Sequence, residues 1–339
     1  MTINEFITIW LQFLACLLLV GYAGVKITIY GDAIADKTGL GGNWIGFLLM
    51  ATVTSVPELA SGISAVTLVN SPDIAIGTLL GSCVFNLAII VLVDLFYRKA
   101  SIYKSADVGH VLSAAFGIVL IGLCGLSIDL ADAELMISVG HVGLYSPVIV
   151  LLYILAVRTV FRYESHQLKT YSEQEPDPFP ALSLASVILR YLFSAIVVIF
   201  AGVWLPSVAK QIALLMHWQE SFVGTLLVAL ITSLPEMVVA LTAIKIHALD
   251  MAIGNIFGSN LFNMAVVAVE DYFYKAGPIL AQVSPIHSIS AATSVTMTGL
   301  AIIGLFYRAE QRVLKMVGWI SWLLFALYLL NSYALFIYA

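Results

Sequence analysis

Charge is what this sequence lacks most. Of its 339 residues only 15 are basic and 20 acidic, about a tenth of the chain where a soluble globular domain carries roughly a quarter. With 61% hydrophobic residues and a mean hydropathy of +1.02, there is too little polar surface to clothe a globule in water, and a bilayer is the natural solvent. The net charge of -5 is dispersed; with no basic run, nucleic acid and a polybasic lipid-binding tail are both excluded as partners. Cysteine is scarce too. Cys16, Cys83 and Cys124 each sit in an apolar run, so no secreted disulfide framework is expected and the three read as packing residues. The six histidines lack zinc-site spacing, and there is no Gly-rich phosphate loop and no GxSxG elbow, so neither an enzyme nor a bound cofactor is expected. Met1 to Glu5 has no basic stretch and carries an acid, which makes the first apolar run a retained span rather than a cleaved leader.

What the sequence has in abundance is apolar length. Stretches of about 20 residues, enough to cross the hydrocarbon core, run near 6–30, 44–68, 73–97, 108–127, 143–161, 182–206, 221–245, 250–273, 286–307 and 316–337. They are continuous rather than alternating, which argues against an outer-membrane barrel. The expected fold is an all-α integral membrane protein of ten transmembrane helices.

The clearly polar stretch Arg162 to Pro180 divides the chain into two five-helix halves, 1–161 and 181–339. Lys26, Lys37, Arg98, Lys99, Lys104, Arg158, Arg162, Lys169, Lys245, Arg308, Arg312 and Lys315 fall on the linker side, against Lys210 and Lys275 on the other. Twelve against two places the 162–180 linker in the cytoplasm and both termini outside.

The halves repeat one another. Gly46 to Glu58 reads GFLLMATVTSVPE and Gly224 to Glu236 reads GTLLVALITSLPE, with eight of thirteen positions identical. DIAIGTLLGSCVFN from Asp73 matches DMAIGNIFGSNLFN from Asp250 at eight of fourteen. Weaker matches pair Asp94 with Asp271 and Gly24 with Gly202. The repeats therefore span about 44–98 and 221–275. Because each half has an odd number of spans, the second enters the membrane from the opposite side, so the repeat is inverted, the arrangement that permits alternating access.

Glu58 and Glu236 stand near mid-span. A carboxylate there costs several kcal/mol unless it meets a cation, a proton or a polar cavity, and recurrence of the whole TSxPE string favours a shared site over packing. Each follows a proline, Pro57 or Pro235, which has no N–H for the carbonyl at Val53 or Ile231. Taken alone, those prolines read equally as transmembrane kinks. Thr54 and Thr232 lie one turn before each Glu on the same face. Ser82 with Asn86, and Ser259 with Asn263, add oxygens at i and i+4. Such a shell of hard oxygens suits Ca²⁺ or Na⁺ rather than a thiolate-seeking metal. Gly77, Gly81, Gly254 and Gly258 read as close-packing positions. Asp73, Asp94, Asp250 and Asp271, at span ends, read as interface anchors.

With TSVPE and GSCVFN in one half and TSLPE and GSNLFN in the other, the sequence resembles the cation/calcium antiporter superfamily, most of all its prokaryotic sodium/calcium exchanger branch. The close match covers about a quarter of the chain. The resemblance implies four ion sites in a diamond between spans two, three, seven and eight, centred on Glu58 and Glu236. By position, Thr54, Ser55, Ser82 and Asn86 would serve one half, and Thr232, Ser233, Ser259 and Asn263 the other, with carbonyls near Ala51 and Ala229 contributing. It also implies that spans one and six slide over this core. The sequence departs from the family where aspartate is common at the positions of Asn86 and Asn263. Two central carboxylates neutralise one Ca²⁺ or take up two protons, so two readings stand: Ca²⁺ export against Na⁺, and Ca²⁺/H⁺ exchange. A cation channel or non-transporting sensor is the reading from another class, and the short polar linker leaves no large gating domain for it. The expected partners are inorganic cations and the lipid bilayer, the expected location is a prokaryotic inner membrane, and the chain is read as a monomer.

Overall fold

A computed structural model describes residues 3–38, 51–97, 101–167, 182–245, 248–309, 312–313 and 317–338. The apolar stretches form helices, because only a helix satisfies each backbone group within its own segment away from water. In chain order the principal helices are α1 (Ile3–Thr38), α2 (Val56–Ser64), α3 (Pro72–Phe96), α4 (His110–Asp132), α5 (Tyr145–Gln167) and α6 (Leu184–Met216), followed by α7 (Leu234–Lys245), α8 (Leu249–Phe273), α9 (His287–Tyr307) and α10 (Trp319–Tyr338). Among the described residues, eight helices are long and apolar enough to cross a membrane, and Glu220–Thr232 with Leu234–Lys245 forms a further broken span bent by 44°. The all-α expectation holds. Helices α1 and α6 run well beyond their expected ends, and α5 continues to Gln167, making the first residues of the expected linker helical. Residues 168–180 of that linker and 44–50 of the expected second span lie outside the described residues.

Hydropathy gave no sign of two short antiparallel hairpins, β1 (Ser138–Val139) with β2 (Val142–Gly143), and β3 (Arg312–Val313) with β4 (Val317–Gly318). They explain a misreading. Asp94 and Asp271 are fully buried and are not interface anchors, because each hairpin folds back over the helix end and uses the carboxylate as its acceptor. Asp271 accepts from Gly143 N (2.9 Å), Tyr145 Oη (2.6 Å), Ser146 Oγ (2.5 Å) and Ile279 N (2.8 Å). Asp94 accepts from Gly318 N (2.6 Å) and Ser321 Oγ (2.7 Å). Asp73 and Asp250, which are partly exposed, are likewise tied to protein. Asp73 accepts from Ser284 N (2.7 Å) and pairs with His287 Nε2 (3.0 Å); Asp250 accepts from Asp107 N (2.7 Å) and pairs with His110 Nε2 (3.1 Å). These carboxylates pin the ends of α3 and α8 to the starts of α4, α5, α9 and α10.

Helices α3 and α8 form the centre, with 78% and 72% of their apolar windows buried, whereas α1 and α6 lie at the periphery with 22% each. Leu11, Leu18 and Tyr22 on α1, and Leu189, Phe193 and Phe200 on α6, remain exposed, as side chains facing lipid would. The two long helices pack along each other, α1 resting on α7 and α6 on α2. A Cβ built on Gly24 would come within 2.5 Å of the Pro235 ring, and one on Gly202 within 3.0 Å of Ala60 and 3.2 Å of the Pro57 carbonyl oxygen. The matched glycines Gly24 and Gly202 therefore each seat a peripheral helix on the proline kink of the opposite half.

Candidate ion-binding site

Both TSxPE segments break their helix at the serine. Proline cannot supply the N–H that would continue the helical ladder, and Ser55 (φ -90°, ψ 12°) and Ser233 (φ -87°, ψ 9°) take up the bend in the sparsely populated bridge region. The helix then restarts with Pro57 and Glu58, or Pro235 and Glu236, in its first turn. The bend aims the serine of each half at the carboxylate of the other. Ser55 Oγ donates to Glu236 Oε1 at 3.0 Å, and Ser233 Oγ donates to Glu58 Oε1 at 3.2 Å. From the central helices, Ser82 Oγ donates to Glu58 Oε1 at 3.4 Å and Ser259 Oγ to Glu236 Oε1 at 3.3 Å.

The threonines complete the ring. Thr54 Oγ1 lies 3.4 Å from Ser259 Oγ, and Thr232 Oγ1 lies 3.4 Å from Ser82 Oγ. Each also donates to a carbonyl one turn back, Thr54 to Ala51 O (3.1 Å) and Thr232 to Ala229 O (3.3 Å). Those carbonyls also accept the backbone N–H of Ser55 and Ser233. Ala51 and Ala229 are thus engaged in orienting the threonine hydroxyls.

All twelve residues singled out from the sequence are buried in one region where α2, α3, α7 and α8 meet. Four oxygens there have no hydrogen-bond donor: Glu58 Oε2, Glu236 Oε2, Asn86 Oδ1 and Asn263 Oδ1. A buried acceptor left without a partner costs about 1–3 kcal/mol, and more when charged. These four acceptors fall in two matched pairs, Glu58 with Glu236 and Asn86 with Asn263, and are oxygens of the kind that hard cations take as ligands. Among the described residues there is no group of three or more His, Cys, Asp or Glu side chains able to hold a metal ion; beside the two carboxylates the oxygens gathered here belong to hydroxyls, amides and carbonyls. Glycine makes the closeness possible. A Cβ on Gly81 would lie 2.2 Å from the Thr225 carbonyl oxygen, and one on Gly258 2.9 Å from Ala51 Cβ.

Three residues outside those twelve join the network. Asn260 accepts from Asn86 Nδ2 (3.0 Å) and donates to the Cys83 carbonyl (3.2 Å), Cys83 Sγ receives Asn263 Nδ2 at 3.9 Å, and Asn255 Oδ1 lies 3.4 Å from Thr54 Oγ1. The helical spacing of Asn255, Ser259 and Asn263, each four residues apart, could have drawn attention to the first of them. A fourth residue, Glu270, is buried outside this ring.

Two spans broken at matched TSxPE strings, packed on an unbroken central pair, flanked by long peripheral helices and furnished with paired buried carboxylates, define a membrane cation transporter. The family model described as sodium/calcium exchanger protein matches residues 8–162 and 186–334. The chain belongs to this family; it is a secondary transporter of the calcium/cation antiporter class, not an enzyme, and works without a cofactor. It is similar to the uncharacterized membrane protein MJ0091 of Methanocaldococcus jannaschii, 26% identical over 322 residues that cover 94% of this chain and 95% of that one. Among solved structures it resembles the sodium-calcium exchanger NCX_Mj (24% identity, TM-score 0.60, covering 94% of this chain and 96% of that one). It also resembles the H⁺/Ca²⁺ exchanger CAX (14% identity, TM-score 0.69, covering 97% and 86%). These likenesses fix the fold.

Proposed function

We propose that this protein exports Ca²⁺ across a prokaryotic inner membrane in exchange for inward Na⁺, by alternating access around Glu58 and Glu236. The observation that carries the reading is the set of four buried, donorless oxygens on Glu58, Glu236, Asn86 and Asn263. Thr54, Ser55, Ser82, Thr232, Ser233 and Ser259 fill out the shell, and the carbonyls of Ala51 and Ala229 hold the threonines. One Ca²⁺ neutralises the two carboxylates. Na⁺ competes for the same oxygens, and the empty doubly charged centre resists crossing the membrane interior, so exchange is enforced.

The architecture that goes with this reading is ten spans in two inverted five-helix repeats, 1–161 and 181–339, joined by a cytoplasmic 162–180 linker, with both termini outside and the chain working as a monomer. Its support is the reciprocity of the contacts: Ser55 to Glu236 against Ser233 to Glu58, and Gly24 to Pro235 against Gly202 to Pro57. Helices α1 and α6, seated on those kinks, are the elements that would shift to change access.

A second reading, Ca²⁺/H⁺ exchange, is favoured by the amides at 86 and 263, which leave two acids at the centre to take up two protons. Reconstituted protein with Na⁺ and pH gradients imposed separately distinguishes the two: ⁴⁵Ca²⁺ uptake driven by Na⁺ alone supports the first, and uptake driven by pH alone in Na⁺-free vesicles the second. Flux without any counter-ion would overturn both in favour of a channel.

A further inference from the structure

Asn86 can serve a cation only through its oxygen, yet an amide turned over about its last side-chain bond presents an NH₂ group in the same space. A carboxylate has no such wrong face. The contacts of Asn260 fix which way the Asn86 amide lies. Cys83, Asn86 and Asn260 are all buried, and the chain of bonds that joins them starts at the main chain. The Cys83 carbonyl on α3 can only accept, and Asn260 Nδ2 on α8 donates to it at 3.2 Å. With its NH₂ committed there, Asn260 turns Oδ1 toward Asn86, whose Nδ2 donates to it at 3.0 Å. The polar atom left over is Asn86 Oδ1, which is buried without a donor. Reversing either amide would set oxygen against oxygen, or NH₂ against NH₂, between buried groups. The orientation of Asn86 is therefore dictated from a backbone carbonyl, through a side chain that the other half supplies.

Asn86 lies one turn beyond Ser82 on the same face of α3, and Ser82 donates to Glu58 Oε1, so the oxygen held in this way belongs to the face that carries the central carboxylate. Both ends of the Asn260 amide are committed to protein. Resting on the antiport reading above, we propose that Asn260 is a positioning residue for Ca²⁺: it holds Asn86 with its oxygen available as a ligand, and thereby sets the affinity of the site. A neutral amide so oriented adds an oxygen to the shell without adding charge, and the two carboxylates still balance one Ca²⁺. The residue aligned with Asn260 in the first half is Cys83, which offers Asn263 Nδ2 only a sulfur at 3.9 Å, so the firm hold falls on Asn86. In Asn86→Asp both terminal atoms at this position are acceptors, and the orienting bond becomes unnecessary.

The test is a double-mutant cycle read by calorimetric Ca²⁺ titration of the purified protein: wild type, Asn260→Leu, Asn86→Asp and the two together. Leucine has the branching of asparagine and no polar atom. In the wild-type background Asn260→Leu should raise the Kd for Ca²⁺ about tenfold, whereas beside Asn86→Asp the same substitution should leave Kd within about twofold or lower it. An equal loss in both backgrounds, or no loss in the wild-type one, makes Asn260 a packing residue and overturns the proposal. A purely structural role moves the thermal unfolding midpoint and leaves the cycle additive, because Kd is read on the molecules that fold. Asn260→Ala runs the same cycle should the leucine variant not fold. An additive cycle leaves the antiport reading standing, and a wild type that binds Ca²⁺ yet moves none under a Na⁺ or a pH gradient removes the antiport reading while the cycle still decides the role of Asn260. A wild type that binds no Ca²⁺ overturns both.

Discussion

Around Glu58 and Glu236 the two halves of the centre use the same hydroxyls at nearly the same distances, 3.2 and 3.4 Å on one carboxylate and 3.0 and 3.3 Å on the other. One residue beyond the serines of α3 and α8 they part company: Cys83 aligns with Asn260, and near the far ends of the helices Val93 aligns with Glu270. The residues proposed to hold the cation are matched, while those framing them differ. A transporter that must present one site to two sides needs the first kind of equality, because an ion held more strongly by one half would be released unequally to the two faces. It has no such need in the supporting residues, and those are where the halves can specialise.

The largest effect should fall on the matched part. Glu58→Gln and Glu236→Gln each remove one of the two central negative charges, so that a bound Ca²⁺ would keep one uncompensated positive charge inside the membrane, at a cost of about 3 kcal/mol. Na⁺-driven ⁴⁵Ca²⁺ flux should drop by about two orders of magnitude in both. Near-equal losses sustain the comparison; a variant with wild-type flux would show that the halves are not equivalent and that the site lies elsewhere.

The struts that pin the hairpins come next, and here the halves should differ. Asp271 holds four donors and Asp94 two, with Asp94 Oδ1 unpartnered. An asparagine turns an acceptor oxygen into a donor. Asp271→Asn should therefore orphan at least one backbone or hydroxyl donor and cost roughly 3 kcal/mol, and Asp94→Asn about half that. Thermal unfolding midpoints in detergent check the order, and the reverse order would mean that the hairpins do not depend on these carboxylates.

These struts also mark where sequence reasoning runs out. TSxPE was legible because a charged residue in an apolar run is costly and because the string occurs twice; the bends at Ser55 and Ser233 followed from the prolines beside them. Asp94 and Asp271 were misread because hydropathy reports position along the chain, and a span end looks interfacial until a hairpin is known to fold over it. The signal existed in the repeated Val-Gly-x-x-Ser of Val142 to Ser146 and Val317 to Ser321, too short to rise above chance. Glu270 escaped for the opposite reason. Weighing residues by their repeat partner promotes Glu58 and discounts an acid whose partner is Val93.

Gly24 and Gly202 test whether the peripheral helices are equally close to their kinks. A methyl at 24 would meet the Pro235 ring at 2.5 Å, and one at 202 would meet Ala60 at 3.0 Å. Both alanine variants should lose about 1–3 kcal/mol through overpacking, Gly24→Ala the more, since a proline ring cannot swing aside. Ca²⁺ flux should slow in step if α1 and α6 move over these contacts. Variants that unfold earlier yet transport at the wild-type rate would uncouple the seating of α1 and α6 from the cycle.

The smallest effect belongs to the mismatch at 83 and 260. Asn260 makes two bonds of ordinary length, to Asn86 Nδ2 at 3.0 Å and to the Cys83 carbonyl at 3.2 Å. Cys83 makes only long sulfur contacts of 3.9 and 4.0 Å. Truncating Asn260 to alanine leaves a buried amide N–H of Asn86 without an acceptor, a loss of about 1–3 kcal/mol; because Asn86 also offers Oδ1 to the centre, its reorientation should weaken Ca²⁺ binding as well. Cys83→Ser exchanges one weak donor for a stronger one in nearly the same volume and should change stability by less than about 1 kcal/mol. Calorimetric Ca²⁺ titration of the two variants beside wild type separates the contributions. Weakened Ca²⁺ binding in Asn260→Ala with unaltered binding in Cys83→Ser means that the second half orients the amides of both. Equal losses would instead make Cys83 a partner of the same rank, and the difference between the halves would then be one of chemistry without consequence for the ion.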